Sequence, residues 1–312
     1  MDITYLLWLQ DFRNATDNVL SPFLLWLSNF AVGPLLLIPV FIYWAVNKRD
    51  GLFIIMACSL SFVINGIVKL TFCVYRPWIR DARVIPYGDS LKKAGGYSFP
   101  SGHTMGASPV YGGIAVLTRK KAPLIMWVCI LGIIITALSR NYFGVHTPQD
   151  VIVGTILGLL SLWLGSKITG YIYARPEREN MILLAGLIII ALSGAYIALK
   201  PYPMDYADGK LIVDPNSMIL SSIGAFGMLA GMILGRYIEK RYINFKAERF
   251  TMKSGILAVI GLVPIAFMDH GIRVWLSFIG KEPAKLAERF IIALFIMAIW
   301  PMVLKLFKAG ED

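Results

Sequence analysis

Long apolar runs of about 20 residues, separated by short polar clusters, dominate the sequence and leave very few folds open to it. In a lipid bilayer, backbone N–H and C=O groups must pair with each other, so runs of this length form spanning helices. The composition agrees, because 57% of the 312 residues are hydrophobic and only 16% are charged. The sequence therefore predicts an all-α, polytopic transmembrane helix bundle.

The apolar runs predict about nine spans. Their approximate ranges are 23–46, 51–74, 100–118, 123–140, 149–173, 180–199, 215–237, 254–279 and 289–307. Before the first span, residues 3–9 are apolar and residues 10–17 are polar. This pattern fits a helix lying on the membrane surface and a frayed terminus equally well.

Lysine and arginine residues cluster in alternate loops, which predicts that these loops are cytoplasmic. The clusters are Lys48/Arg49, Arg119/Lys120/Lys121, Lys167/Arg175/Arg178, the stretch from Arg236 to Lys253, and Lys305/Lys308. The N-terminus is then outside and the C-terminus inside. Because these clusters explain the net charge of +11 better than a single basic stripe would, we expect no nucleic-acid partner.

The outer side carries cations that oppose this topology rule, and two of them belong to one helix. Lys69 lies near the outer end of the second span, and Arg76 follows two turns later on the same face. Pro77 then ends the helix. An ionisable residue within a span is a candidate for function, although Lys69 alone can also extend to the interface.

The next outer segment, from Tyr97 to His103, leads into the third span. Ser101 is a plausible N-cap, and Gly102 leaves the N–H groups of the first turn open to an anion. His103 would lie beside that anion. For this segment alone, an ordinary helix start with an interfacial histidine is the simpler interpretation.

A third cluster joins the fourth and fifth spans. Thr147 is predicted as the N-cap of the fifth span and Asp150 as its third residue, a capping-box arrangement. His146 then stands just outside the helix, and Asp150 can hold one ring nitrogen while the other attacks. The alternative is a helix cap beside a surface histidine. With Arg140 at the end of the fourth span, the three clusters supply the cations, N–H donors and two histidines that phosphoryl transfer needs.

Together these residues resemble the three-part signature of the type 2 phosphatidic acid phosphatase superfamily, at every signature position. The matching elements are Lys69-(six residues)-Arg76-Pro77, Pro100-Ser101-Gly102-His103 and Ser139-Arg140-(five residues)-His146-(three residues)-Asp150. The superfamily includes bacterial lipid phosphatases, glucose-6-phosphatase and the vanadium haloperoxidases. The resemblance covers the chain from Lys69 to Asp150 and, by helix pattern, the fifth span.

The resemblance implies that His146 is a nucleophile forming a phosphohistidine, that Asp150 orients it, and that His103 acts as acid and then base. It further implies a set of phosphate-binding residues, namely Lys69, Arg76, Ser101, Gly102 and Arg140. We expect no catalytic metal and no cofactor, because cations already supply positive charge and no carboxylate cluster of the magnesium-binding type accompanies the histidines. The expected parts are an interfacial segment 1–22, a catalytic membrane bundle 23–175 and accessory C-terminal helices 176–312.

The expected substrate is a phosphorylated lipid: a prenyl diphosphate, phosphatidylglycerol phosphate, phosphatidic acid or a sphingoid phosphate. A sugar phosphate remains open, because nine spans with an outer N-terminus resemble the glucose-6-phosphatase topology. A vanadate-dependent haloperoxidase and a lipid or phosphate carrier are further alternatives. We expect a bacterial cytoplasmic membrane location with the site facing the exterior.

Two smaller groups of polar residues complete the sequence analysis. The loop between residues 78 and 99 is expected to shape substrate entry through four cations, Arg80, Arg83, Lys92 and Lys93. In the eighth span, Asp269 and Arg273 are one turn apart beside His270. An internal pair of Asp269 and Arg273 is the favoured interpretation, and a substrate contact is the alternative.

Overall fold

The computed structural model describes residues 2–88, 90, 94–207, 209–247 and 249–307, without the side chains of residues 269 and 270. Almost all regular structure within these ranges is helical. The helices are α1 (Asp2–Ala15), α2 (Ser21–Val32), α3 (Ile38–Phe41), α4 (Lys48–Phe72), α5 (Pro77–Arg80), α6 (Gly102–Thr118), α7 (Pro123–Tyr142), α8 (Pro148–Ala174), α9 (Glu179–Leu199), α10 (Pro215–Ile238), α11 (Met252–Trp275), α12 (Lys281–Leu294) and α13 (Trp300–Leu306). Strands β1 (Tyr206–Ala207) and β2 (Lys210–Leu211) form an antiparallel hairpin.

Short helical segments of other types connect or extend these helices in the described part of the chain. Those of 3₁₀ type are Pro34–Leu37, Pro176–Arg178 and Ser277–Ile279, and those of π type are Ile42–Val46, Glu239–Ile243 and Phe295–Ile299. The prediction of an all-helical membrane bundle is confirmed. Within the described ranges, eight helical stretches are long and apolar enough to cross a membrane. The predicted third span corresponds to α6, which has 17 residues.

Two predicted spans differ from the observed helices for reasons visible in the sequence. The first is interrupted after Val32, because Pro34 has no N–H to continue the ladder and the chain turns into a 3₁₀ segment. The last begins at Lys281 rather than at residue 289. Pro283 is tolerated in the first turn of that helix, and Gly280 precedes it with a φ of +96°.

The chain forms two compact units that interleave along the sequence. The first unit contains residues 1–36, 64–162 and 200–219, and the second contains residues 37–63, 163–199 and 220–312. Helices α4 and α8 contribute residues to both. The sequential division at residues 22 and 175 stays a prediction.

In the first unit, α8 packs closely on α6 through two glycines one turn apart. A Cβ added to Gly154 would lie 2.2 Å from Thr104 Oγ1 and 2.9 Å from Ser101 O. A Cβ on Gly158 would lie 2.8 Å from Ser108 Cβ. Small residues at this spacing allow helix backbones to approach closely in a membrane. The contact brings the first turns of α6 and α8 together, which are the two elements that carry the candidate histidines.

The core of the second unit forms around the π segment Ile42–Val46. Tyr43 and Trp44 are fully buried there, and Trp44 Nε1 donates to Ile296 O at 2.8 Å. Helix α10 meets α12 through Gly227 and Gly231, whose added Cβ atoms would lie 2.3 Å and 2.4 Å from backbone oxygens of α12. Close backbone contact therefore fixes this pair of helices too.

Candidate active site

The first turn of α8 forms the predicted capping box. Thr147 N donates to Asp150 Oδ2 at 2.8 Å, and Asp150 N approaches Thr147 Oγ1 at 3.4 Å. The same Asp150 oxygen lies 3.3 Å from His146 Nδ1. His146 and Asp150 are each only 2% exposed. The helix start therefore places a buried carboxylate beside one nitrogen of a buried imidazole.

Arg76 contacts the other ring nitrogen and so identifies the tautomer. Its Nη1 lies 2.9 Å from His146 Nε2 and 2.8 Å from Val145 O. A guanidinium has only N–H donors, so Nε2 must be the acceptor in this contact. The ring proton is then on Nδ1, where Asp150 accepts it. The single lone pair of Nε2 accepts the Arg76 N–H in this structure, and it becomes available for attack when that N–H turns to a bound anion.

Ser98 also binds the carboxylate, and the sequence analysis did not predict this. Its Oγ donates to Asp150 Oδ2 at 2.5 Å and lies 3.4 Å from His146 Nδ1. Ser98 is 1% exposed. The only available signal was its place within the segment from Tyr97 to His103, because no helical period or motif spacing marks it.

Helix α6 begins at Gly102, as predicted, but the hydroxyl of Ser101 makes no capping hydrogen bond. Ser101 Oγ is buried and has no hydrogen-bond partner among the described residues. The backbone of Ser101 is tied to α8, since its N–H donates to Asp150 O at 3.0 Å. The helix start therefore offers a hydroxyl in addition to the open N–H groups of its first turn, as an anion site requires.

Lys69 reaches the same segment from α4, but its ammonium group contacts backbone. Nζ donates to the carbonyl oxygens of Tyr97, Ser98 and Pro100 at 3.1, 3.2 and 2.8 Å. An ammonium has three N–H bonds, so these carbonyls occupy all of them. Lys69 therefore holds the loop before α6 in place. It has no N–H left to donate to an anion and can attract one only through its positive charge.

Two further arginines are buried in the first unit. Arg140 Nη1 donates to Ser28 Oγ at 2.8 Å, while its Nε has no partner among the described residues. Arg13 of α1 donates to Tyr142 O at 3.1 Å and to Ile85 O at 2.9 Å. The N-terminal segment is therefore a helix, and its buried Arg13 joins it to the bundle. The sequence pattern did not indicate this contact of Arg13.

Helix α4 ends at Phe72, so Arg76 lies in a loop and does not share a helix face with Lys69 as predicted. Asp205 and Met218 pack against this loop. Arg76 Nε and Nη2 each donate at 3.2 Å, to Gly96 O and Gly95 O respectively. Gly96 has a φ of +70°, and a Cβ there would lie 2.6 Å from Met218 Sδ. Tyr75, next to Arg76 in sequence, donates a short hydrogen bond from its hydroxyl to Asp205. A segment from the C-terminal half thus packs against the loop that holds Arg76.

The remaining predicted residues lie as follows. His103 is on the first turn of α6 and is partly buried. Arg80 pairs with Asp2 at 2.8 Å and Arg83 pairs with Asp81 at 2.7 Å, both at exposed positions. Lys92 and Lys93 lie outside the described residues, so substrate entry through this loop stays a prediction.

Of the predicted pair Asp269 and Arg273 in α11, the structure describes only the side chain of Arg273. Arg273 Nε lies 2.8 Å from Glu288 Oε2. The side chains of Asp269 and His270 are outside the described part. Among the described residues, no three His, Cys, Asp or Glu side chains gather as a metal site would require. A metal-free mechanism stays a prediction.

The electrostatics of the site favour a neutral His146. Burial, and then the positive charges of Arg76, Lys69 and Arg140, lower the pKa of the imidazole well below its ordinary value of 6.5. Both effects disfavour the protonated ring. A neutral imidazole with its proton on Nδ1 is the form that can attack an electrophile through Nε2.

Two family models match the chain. Residues 50–174 match the PAP2 superfamily, and residues 223–311 match the transmembrane extension of PAP2 superfamily phosphatases. His103, His146, Asp150 and the three candidate phosphate-binding cations lie within the first range. No solved structure matches the chain.

Three curated relatives are similar over part of the chain. Phosphatidylglycerophosphatase B of Bacillus subtilis is 35% identical over 122 residues, 37% of this chain and 56% of the relative. An undecaprenyl-diphosphatase of Sulfolobus acidocaldarius is 32% identical over 114 residues, 36% of this chain and 51% of the relative. Mouse glucose-6-phosphatase catalytic subunit 1 is 32% identical over 120 residues, 34% of this chain and 33% of the relative.

The aligned part thus spans between a third and just over half of the length of these relatives. The two family models, in contrast, follow each other along most of the chain and agree with its many apolar helices. The chain is an integral membrane protein of the PAP2 superfamily.

Proposed function

We propose that this protein is a phosphatase that hydrolyses a phosphorylated lipid through a phosphohistidine on His146, without a metal. The observation that carries the proposal is the tautomer of His146, with Nδ1 facing Asp150 and Nε2 facing Arg76. A buried nucleophile, a carboxylate that orients it and a cation at the attacking nitrogen are the parts that phosphoryl transfer needs.

In the first step, Nε2 attacks phosphorus, the bond from phosphorus to the leaving oxygen breaks, and His103 gives that oxygen a proton. In the second step, His103 takes a proton from water, whose oxygen displaces Nε2 and releases phosphate. Asp150 holds the Nδ1 proton while the ring becomes positively charged. Arg76, Arg140, the Ser101 hydroxyl and the N–H groups from Gly102 onward bind the phosphoryl oxygens, and Lys69 adds charge from behind the loop.

A lipid substrate is supported by the relatives named for phosphatidylglycerophosphate and undecaprenyl diphosphate. The mouse relative named for glucose 6-phosphate supports a sugar phosphate as the second candidate. The positive-inside pattern supports a site at the outer surface of a bacterial cytoplasmic membrane.

The substrate class can be tested with purified protein in detergent. We expect kcat/KM for at least one lipid phosphate or diphosphate to exceed that for glucose 6-phosphate by at least about tenfold. Activity should persist in EDTA, because the site's own cations neutralise the phosphate. Phosphate release is the measurement, and the His146→Ala protein controls for contaminating phosphatases. A preference for glucose 6-phosphate would favour the sugar candidate, and strict dependence on magnesium would contradict the mechanism.

The pH dependence tests the protonation state of His146. Because its pKa is lowered, the neutral ring should persist as the pH falls below 6.5, and the acid limb of phosphoenzyme formation should lie below that value. The measurement is the rate of labelling from p-nitrophenyl phosphate, corrected for ionisation of the substrate. If the labelling rate instead falls with an apparent pKa at or above 6.5 that is due to His146, the proposed lowering of its pKa by burial and nearby cations is wrong.

A further inference from the structure

The second unit contains a cavity of about 450 Å³ whose lining is rich in cations. It lies where the start of α4, the end of α8, the start of α9 and the chain after α10 meet. Five cationic side chains contribute to the lining, namely Lys48, Arg49, Arg236, Lys240 and Lys246. None of them belongs to the candidate active site. Two of the basic clusters that the sequence predicts to be cytoplasmic, Lys48/Arg49 and the stretch from Arg236 to Lys253, therefore converge on one cavity.

Two buried carboxylates organise the inner wall of this cavity. Lys48 Nζ lies 2.6 Å from Glu239 Oε1, and Lys240 Nζ lies 2.5 Å from Glu179 Oε2. Arg236 bridges both acids, at 2.7 Å from Glu179 and 3.0 Å from Glu239. Three cations thus surround two carboxylates, so the wall is fixed by hydrogen bonds and keeps an excess of positive charge.

Arg49 and Lys246 add charge at the exposed part of the lining. The Arg49 guanidinium lies 5.3 Å from the ring centroid of Tyr173, and Arg236 lies 5.7 Å from the same ring. The described lining then has five cations and one acid, Glu179, while Glu239 pairs with Lys48 and Arg236 of the lining, so positive charge remains in excess. A phosphate or phosphodiester group is the ligand that such fixed cations suit best.

The neighbourhood of the cavity favours a lipid as the source of that phosphate. Helix α9 begins at the cavity wall with Glu179. Only 11% of the most apolar stretch between Pro176 and Leu199 is buried within the protein. Met181 and Leu184, on the first turns of α9, are 60% and 58% exposed. An acyl chain can therefore lie along α9 while the head group enters the cavity. Cytoplasmic basic sites of this kind attract anionic lipids.

We propose that this cavity binds the phosphate group of an anionic phospholipid. The test uses the full-length protein in a neutral detergent, with native mass spectrometry to count bound dioctanoyl phosphatidylglycerol. Replacing both Arg49 and Lys246 by glutamine should weaken the apparent Kd by about 10- to 30-fold, because each cation near a lipid head group contributes appreciably. Arg49→Glu alone should weaken it as well. Both residues are exposed, so the fold is retained.

Lys120 and Lys121 provide the matched control, because they are exposed cations in another loop that the sequence predicts to be cytoplasmic. The Lys120→Gln/Lys121→Gln protein should bind phosphatidylglycerol as the unmodified protein does. Any lipid held at the candidate active site is common to all variants and cancels in the comparison. If the Arg49/Lys246 and Lys120/Lys121 variants bind phosphatidylglycerol with the same apparent Kd, the proposal is overturned. Equal binding of dioctanoyl phosphatidylcholine would overturn the preference for an anion, and equally tight binding of inorganic phosphate would overturn the lipid assignment.

Discussion

Replacing His146 by alanine should abolish turnover, with a loss in kcat of at least about 10⁴-fold. The substitution removes Nε2, the atom that bonds to phosphorus, so no substrate can form the phosphoenzyme. Asp150, Ser98 and Thr147 would keep their hydrogen bonds to one another, because none of these bonds passes through the imidazole. The fold should therefore survive. The measurement is acid-labile, base-stable label retained by the protein after reaction with labelled substrate.

The His103→Ala protein is the comparison that separates the two histidines. This residue is assigned to proton transfer, so its loss should matter less for p-nitrophenyl phosphate, whose leaving group is already a stable anion. It should matter more for a lipid monoester, whose alkoxide needs the proton. Labelled phosphoenzyme should accumulate because water is no longer activated. If His146→Ala still forms the labelled species, or His103→Ala is equally impaired with both substrates, the assigned roles are wrong.

The second large effect is expected for Asp150→Asn, with a loss in kcat of about 10³- to 10⁴-fold. The amide has the shape of the carboxylate but neither its charge nor its acceptor-only character. Thr147 N–H, the Ser98 hydroxyl and His146 Nδ1 all contact the same carboxylate oxygen, so the amide oxygen should take that position and the proton should stay on Nδ1. The site then lacks the negative charge that stabilises the positively charged ring formed when Nε2 attacks. The measurement is the rate of phosphoenzyme formation.

Ser98→Ala provides the matched control for this prediction. It removes one hydrogen bond to Asp150 but leaves the carboxylate, its contact with His146 and the capping box in place. We expect a loss in kcat of about tenfold, in line with one charge-assisted hydrogen bond acting through another residue. A loss as large as that of Asp150→Asn would show that the hydroxyl, and not the carboxylate charge, supports the nucleophile.

The sequence predicted the bundle and the start of α8 because both depend on local patterns. Apolar runs of spanning length specify helices, and the capping box at Thr147 and Asp150 is confirmed because it uses residues three apart. What the pattern could not show is which polar atoms are already occupied. Lys69 has the charge expected of a phosphate ligand, yet its N–H bonds contact three carbonyls.

Contacts between distant parts of the chain were also beyond the sequence analysis. Ser98 reaches Asp150 across 52 residues, and Arg13 reaches Tyr142 across 129. No periodicity links such positions, since helical spacing relates only neighbours one or two turns apart. The interleaving of the two compact units has the same origin. Residues 200–219 belong with the first unit, although they follow helices that belong with the second.

The segment 200–219 also determines how this protein can be divided. The two family models leave residues 175–222 unmatched, and the residues that touch the loop beside Arg76, Asp205 and Met218, lie in that interval. A catalytic fragment ending with α8 would lose the packing on Gly96 while keeping every signature residue. Chimeras between relatives are therefore better joined after residue 219. Residues 200–219 and the loop beside Arg76 then come from the same parent protein, and their contacts are kept.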